Sequence, residues 1–161
     1  MSDLGEDLRR ALRHWVTGVS IVTSQFGDVR HGMTVNSLAS VSLEPPVILF
    51  TLQHATRTYE LVSQSRIAGI TILGDNQVDL SNRFAGKLPE HNDRFAGIEI
   101  FTWQTGAPLI VGGTAYLDCR VRSIYPLDQS TLFIMDVVAA RSAADDLPLV
   151  YSNRVYHRLC Q

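Results

Sequence analysis

Between Gly32 and Pro46 the chain sets small hydroxyl and amide side chains, Thr34, Asn36, Ser37, Ser40 and Ser42, among mostly apolar neighbours. Residues of that size let main-chain N–H and C=O groups approach a partner closely, and each adds a donor or acceptor of its own. A strand of this composition can bury its apolar side chains on one face and offer polar groups to something flat and polar on the other. The plainer alternative is a solvated strand face, which needs no partner. Chemistry that depends on a protein nucleophile finds little here, because no nucleophile–base–acid triad is apparent. His14, His54 and His91 share no ligand spacing with one another or with nearby carboxylates, so no metal site is expected. Cys119 and Cys160 match no metal or redox spacing; Cys119 lies in an alternating strand pattern and reads as a buried structural thiol.

The totals fit one domain over residues 1–161. Apolar residues make up 45% and charged residues 19%, which allows an ordinary core and argues against wholesale disorder. The net charge is −2 with no run of like charges, so the basic footprint of a nucleic-acid binder is missing. The first residues are acidic where a secretory leader would be basic, and no apolar stretch approaches bilayer length. A cytoplasmic protein without membrane or nucleic-acid partners is expected.

The polar stretch must be held by its neighbours along the chain. Asp3 to Trp15 reads as an amphipathic helix, with Leu4, Leu8, Ala11, Leu12 and Trp15 on its inner face and Asp3–Glu6 resembling a capping box. Val19–Phe26 and Val29–Ser42 read as a hairpin around Gly27-Asp28. Val47–Leu52 is apolar on both faces and is expected as a central strand, entered through the double proline. Thr56 to Ser65 predicts a helix capped by Thr56, Ile67–Leu73 a strand, and Val78 to Phe84 a second inserted helix. Ala115 to Tyr125 alternates, with Ala115, Leu117, Cys119 and Val121 inward and Asp118, Arg120 and Arg122 outward. Thr131–Ala140, apolar on both faces, is expected to be covered twice, by the core and by a helix or another subunit. Short strands at Leu149–Tyr151 and Val155–His157 close the chain, and Trp15 and Trp103 are expected to pack. Many strands with two inserted helices and one terminal helix suggest a small β-barrel with helical decoration. A doubly wound nucleotide fold is disfavoured, since neither G-x-G-x-x-G nor G-x-x-x-x-G-K occurs.

An ordered series of segments adds a resemblance. It runs through Thr17-Gly18-Val19, Val22-Thr23, Gly32-Met33-Thr34-Val35-Asn36-Ser37 and Ser40-Val41-Ser42-Leu43-Glu44-Pro45-Pro46. It continues through Arg57-Thr58-Tyr59-Glu60-Leu61, Ile72-Leu73-Gly74-Asp75-Asn76-Gln77, Arg83-Phe84-Ala85-Gly86 and Asp93-Arg94-Phe95-Ala96-Gly97. Gly106-Ala107-Pro108-Leu109, Tyr116-Leu117-Asp118-Cys119-Arg120-Val121 and Pro148-Leu149-Val150-Tyr151 complete it. No single piece is diagnostic, but their ordered sum resembles the flavin reductase family.

That resemblance implies a mainly β fold with a few helices, a split β-barrel of Greek-key type, assembled as a homodimer. It implies FMN or FAD as the flavin, NADH or NADPH as hydride donor, and a separate monooxygenase as recipient of the reduced flavin. Carried onto this chain, it places Met33, Thr34, Val35, Asn36, Ser37, Ser40, Val41 and Ser42 along the isoalloxazine. Gln53, His54, Ala55, Thr56 and Arg57 would hold the ribityl chain and phosphate, and Arg83, Phe84 and Lys87 would close over the phosphate end. Tyr156 and Ser130 are the residues implied beside the nicotinamide donor. Tyr151, Arg154 and Tyr156 match the family's terminal pattern, bordering either the dinucleotide site or a dimer interface. Arg83 and Lys87 read equally well as surface charges.

The chain departs from the family at one place. Reductases of this kind commonly carry Gly-Asp-His before the penultimate long strand, where this chain has Asp128, Gln129 and Ser130. Either Ser130 hydrogen-bonds the nicotinamide amide, or another group such as His31 or His157 fills the gap. The alternative is a flavin-binding split-barrel protein without efficient NAD(P)H reductase activity. A structural dimerisation barrel with a merely solvated polar strand stands outside both readings.

Overall fold

A computed structural model describes residues 3–87, 93–142 and 146–160. In chain order its elements are α1 (Leu4–Leu12), β1 (Thr17–Gly18), β2 (Ser20–Phe26), β3 (Val29–Val35), β4 (Ala39–Leu43) and β5 (Pro46–Gln53). Then come α2 (Arg57–Ser65), β6 (Ile67–Ile72), α3 (Val78–Phe84), β7 (Ile100–Thr102), β8 (Pro108–Ile110) and β9 (Ala115–Pro126). β10 (Ser130–Ser142), β11 (Val150–Ser152) and β12 (Val155–His157) follow. The fold is therefore mainly β with three helices among the described residues. Part of the polar loop expected over Gly86–Asn92, residues 88–92, lies outside the described residues.

Seven strands form one antiparallel sheet in the order β3-β2-β6-β9-β10-β5-β4. The β2–β3 hairpin turns at Gly27-Asp28, with Phe26 opposite Val29, as the sequence predicts. The expected continuous strand from Met33 to Ser42 is not formed. It breaks after Val35, and the chain resumes as β4 on the opposite edge of the sheet, paired with β5. A period-2 pattern cannot distinguish one long strand from two short ones joined by an extended crossing.

That break decides the shape of the sheet. Seven strands laid flat would be about 29 Å wide. From Val35 to Ala39 the chain can reach at most about 14 Å. The sheet must curl until its two edge strands approach one another, although β3 and β4 share no ladder. Ser37 secures the crossing: its hydroxyl accepts from the Thr51 N–H at 3.0 Å, and lies 3.4 Å from the Thr51 carbonyl.

β2 is buried on both faces, because Val22 enters one core cluster with Phe50, Ile70, Phe133 and Met135, while Ile21 enters another with Leu73, Phe84, Phe95 and Leu149. β5, expected to be central, lies next to the edge; its second face is only half-buried at Leu49 and Thr51. β10 likewise has one face in the core, at Thr131, Phe133 and Met135, and the other only half-buried at Leu132, Ile134 and Val138. The second cover expected for it is incomplete within one chain.

Asp118 was expected to face outward and is instead fully buried. The β7–β8 hairpin passes over that face, and Thr105 in its connection donates both its N–H and its hydroxyl to the Asp118 carboxylate. Cys119 is buried as expected, and burial pushes its thiol well above the ordinary range, with Asp118 and Asp136 adding to the effect. Trp103 packs against Phe101, with their ring centres 5.3 Å apart.

The largest departure is α1. Its Asp3 carboxylate accepts from the Gly5 N–H, but Glu6 closes no capping box; it pairs with Arg9 at 3.2 Å instead. The helix ends at Leu12, short of Trp15. Its orientation is the reverse of the expected one. Leu4, Leu8 and Leu12 are 81%, 56% and 56% exposed and Trp15 is exposed too, whereas Glu6, Asp7 and Arg13 are half-buried. The apolar stripe faces out; of the polar residues only Glu6, Asp7 and Arg13 are half-buried, and Arg9 and Arg10 are exposed as well.

Candidate functional site

β3 is an edge strand, so half of its main-chain groups have no ladder partner. The Gly32 carbonyl points away from β2, since it accepts from the Arg94 guanidinium at 3.0 Å. By two-residue alternation the main-chain groups of Thr34 point the same way. They open onto two adjoining cavities that share Thr34 and Ala85.

The larger of the two, about 420 Å³, is lined by His31, Met33, Gln53, Ala55, Thr56, Arg57, Phe84 and Arg94 besides the shared pair. It lies at the start of α2. Thr56 caps that helix, accepting from the Tyr59 N–H, and leaves Arg57 exposed at the first helical position. A helix start with an arginine beside it suits an anion, by both dipole and charge. Arg94 adds a second guanidinium, held in place by the carbonyls of Gly32 and Phe84 at 3.0 and 2.8 Å. His31 is fixed by a 2.8 Å hydrogen bond between its Nδ1 and the Thr58 hydroxyl.

The second cavity, about 190 Å³, is lined by Val19, Val35, Asn36, Lys87, Tyr151 and Tyr156 as well as Thr34 and Ala85. Its walls are mostly apolar or aromatic, with the polar edge of β3 along one side. Tyr156 is anchored by α3, its hydroxyl 2.8 Å from Ser81 Oγ and donating to Asn82 Oδ1. The Lys87 ammonium stands 5.4 Å from the centre of that ring. One end of the groove thus accepts negative charge, and the other a planar group with polar edges.

A family model described as a flavin reductase like domain matches residues 12–160. The chain belongs to that family. It is 36% identical over 117 residues to the "Flavin-dependent monooxygenase, reductase subunit HsaB" of Mycobacterium tuberculosis, covering 73% of this chain and 61% of that relative. The chain thus spans less than two-thirds of that relative's own length. A second relative, "FMN reductase (NADH) RutF 2" of Rhizobium rhizogenes, is 32% identical over 154 residues, covering 96% of this chain and 88% of its own. Among solved structures, the NADH:FAD oxidoreductase SgcE6 of Streptomyces globisporus superposes with a TM-score of 0.91 at 27% identity, over 100% and 98% of the two chains.

Within this family member, the groove gathers Met33, Thr34, Val35, Asn36, Gln53, Ala55, Thr56, Arg57, Phe84, Lys87 and Tyr156 of the residues expected from sequence. Others are not brought into it. Ser40, Val41 and Ser42 sit on β4, away from both cavities, because the strand expected to carry them breaks. The Ser37 hydroxyl is committed to Thr51, and the Thr34 hydroxyl donates to the Ser81 carbonyl at 2.7 Å. Arg83 donates to the Ala96 carbonyl at 2.6 Å, which secures the turn around residues 93–97.

Ser130 opens β10 opposite Gln53, one rung from the larger cavity and on the far side from Tyr156. His54 stands beside it, with Nε2 2.9 Å from the Thr131 hydroxyl and its ring tilted onto Tyr59. An imidazole therefore sits at the start of β10 after all. It comes from the neighbouring strand end, whereas His31 lies in the larger cavity and His157 on an exposed strand.

Sequence reasoning missed Arg94, Ala85 and Val19 as lining residues, and weighed His31 only as a substitute beside the nicotinamide. Arg94 lies 62 positions from Gly32, and no local periodicity ties the two together. Its place within Asp93-Arg94-Phe95 was the only signal, and that signal carried no geometry.

Proposed function

We propose that this protein is an NAD(P)H:flavin oxidoreductase that binds FMN or FAD, reduces it with NADH or NADPH, and supplies reduced flavin to a separate flavin-dependent monooxygenase. The observation that carries this is the groove along the β3 edge, with its cationic end at the start of α2. The donor set suits a flavin mononucleotide. Thr56, Arg57, His31 and Arg94 would hold the phosphate, and the main-chain groups of Thr34, with the Asn36 side chain, would meet the ring edge. Val19, Val35 and Ala85 supply apolar surface for the ring face, and Tyr156 with Lys87 borders the open side where a nicotinamide would enter. When bound, the flavin supplies the hydride chemistry itself. The protein's part is orientation, since bringing the reacting atoms to roughly 3–3.5 Å supplies much of the acceleration without a protein acid or base. Ser130 and His54, at the start of β10, stand beside Gln53 at the phosphate end of the groove, so the nicotinamide entry at Tyr156 does not depend on them.

The curled sheet with unpaired edges is, in this reading, the split barrel, and the assembly is a homodimer. The outward leucine stripe of α1 and the half-covered face of β10 both favour a second copy of this chain as partner. Velocity sedimentation of the full chain should give a dimer, and Leu8→Asp should shift it toward monomer. A monomeric wild-type chain would sink the assembly. A cytoplasmic setting is favoured by two unpaired thiols, one of them exposed. No described helix is long and apolar enough to cross a membrane.

The test of function is spectroscopic. Purified protein is mixed with FMN or FAD, and NADH or NADPH is then added without oxygen. The flavin's visible band should bleach within seconds. Binding without bleaching would leave a flavin carrier, and failure to bind either flavin would remove the site assignment altogether.

A further inference from the structure

A cluster with no part in the groove lies where the β7–β8 hairpin meets the end of β10. Phe101, Trp103 and Tyr116 meet edge to face there, with ring centres 5.3, 5.0 and 6.2 Å apart. The Arg141 guanidinium stands over all three rings, 5.9, 5.5 and 5.7 Å from their centres. Each distance is within the roughly 6 Å at which a ring face attracts a cation. Arg141 is exposed and forms no ion pair among the described residues. With Trp103, Gln104, Ala139 and Ala140 it lines an open hollow of about 510 Å³.

Two features set this arginine apart from a surface charge that merely packs. The first is that it is aimed. Val138 has no partner on β9, because the register shifts between Val137 and Ala139, and a bulge of this kind redirects the side chains beyond it. Gln104 Nε2 donates to the Val138 carbonyl at 3.0 Å, and the Thr105 N–H donates to the Asp118 carboxylate at 2.9 Å. The hairpin is thus fastened to the sheet without help from Arg141. Three rings hold the guanidinium still, which removes rotamer freedom before any partner arrives, and no carboxylate occupies its donors. The second feature is position. Residues paired across a sheet share one face, and a single row of pairs runs Thr34–Ile21–Thr71–Tyr116–Arg141. Thr34 lines both cavities of the groove. Arg141 therefore lies on the same face and at the same level as the groove, about 19 Å away around the curled sheet.

We propose that the surface between the groove mouth and Arg141 is where the flavin-receiving oxygenase docks, and that the oxygenase brings an acidic segment whose aspartate or glutamate is seated on Arg141. The identity of this partner rests on the flavin reductase reading. Charge selects the chemistry of the occupant: a planar guanidinium without a carboxylate fits one through two parallel hydrogen bonds. Arginine and aromatic residues are the types that anchor protein interfaces, whereas an open hollow encloses too little of a small molecule to hold it. The shared row selects the partner. A standard interface covers about 800 Å² a side, roughly 30 Å across, so a body centred near Arg141 reaches the groove from which the flavin leaves. A second copy of this chain fits the surface less well. The apolar part of β10 left for it, Leu132 and Ile134, is set off from this end by the exposed Arg122–Asp136 pair at 2.6 Å.

The test uses the full chain with a photo-reactive side chain in the hollow, Ala140→p-benzoylphenylalanine, illuminated in an extract of the source organism with FMN and NADH present. The cross-linked product, identified by mass spectrometry, should be a flavin-dependent oxygenase joined within or beside a stretch that contains aspartate or glutamate. Adding Arg141→Glu should lower its yield tenfold or more. Arg141→Lys should lower it less, because lysine keeps the charge and loses the paired hydrogen bonds. Melting temperature, FMN affinity and bleaching of FMN by NADH in the isolated chain should stay unchanged, since none of these positions lines the groove. Capture of a second copy of this chain, capture only of proteins other than such an oxygenase, or no capture would overturn the proposal. So would capture that Arg141→Glu leaves undiminished. If Arg141→Glu does not fold, Arg141→Gln decides by the same criterion. A chain that bleaches FMN normally and captures no oxygenase loses this docking surface alone. One that captures the oxygenase and bleaches no flavin counts against the reductase reading and leaves the surface standing.

Discussion

Gly69→Ala should destabilise the protein by about 3 kcal/mol, at the upper end of what overpacking a core costs. For a chain of this length that corresponds to a fall of roughly 6–12 °C in melting temperature. Gly69 lies inside β6, paired with Thr23 of β2 on one side and Asp118 of β9 on the other. The β7–β8 hairpin crosses directly over it. A Cβ built at Gly69 would sit 2.2 Å from the Pro108 carbonyl oxygen and 2.8 Å from Thr23 Oγ1. Neither atom is the end of a flexible side chain. The Thr23 hydroxyl is engaged with the carbonyls of both Gly69 and Pro108, so relief requires moving backbone and breaking a buried hydrogen bond. Gly18→Ala is the control, because nothing lies within 4 Å of its built Cβ, and it should change stability by less than about 0.5 kcal/mol. Equal melting temperatures for the two variants would show that the hairpin does not press on β6.

The same crossing explains what the sequence could and could not convey. A glycine inside a strand pattern is a known mark of close backbone approach. Ile67-Ala68-Gly69-Ile70 carried that mark, but nothing local named the approaching segment. Residues 100–110 gave no strand signal, being two three-residue strands around a connection that contains Gly106. For that reason Asp118 was assigned to the outer face by alternation that holds for its neighbour Arg120. Local periodicity served well wherever one face met one core, as in α2, where Val62 is buried and Tyr59 is half-buried against the same core. It failed where a covering element or a missing one decided exposure. α1 is the clearest instance: its pattern is correct for a helix with one apolar face, yet the pattern has no information on which side the partner stands. The candidate site was legible through the resemblance at Met33–Asn36 and at Gln53–Arg57. Arg94 was not legible, and His31 was weighed for the nicotinamide and not for the anion end, because both join those residues only through the tertiary fold.

Arg57→Glu should weaken FMN binding by tenfold to a hundredfold while leaving riboflavin binding nearly unchanged. Arg57 lines the larger cavity at the first position of α2 and is exposed, so removing it leaves no hole in the core. A hydrogen bond to a charged group contributes about 1.5–3 kcal/mol, which is roughly tenfold to a hundredfold in affinity. Reversing the charge adds repulsion between the new carboxylate and the phosphate. The helix itself should tolerate the change, since an acidic residue in the first turn suits the dipole, and a melting temperature equal to wild type or slightly higher is expected. That combination separates a ligand effect from a folding effect. Riboflavin, with the same ring and no phosphate, reports on the Thr34–Asn36 end alone. If both ligands weaken equally, Arg57 acts on the shape of the groove and not on the phosphate. If neither weakens, the phosphate lies elsewhere, and the cationic end of the groove would have to be reassigned to Arg94 and Lys87. Raising ionic strength should also erode FMN affinity in the wild type more than in Arg57→Glu, because only an attractive surface charge pair is lost to screening.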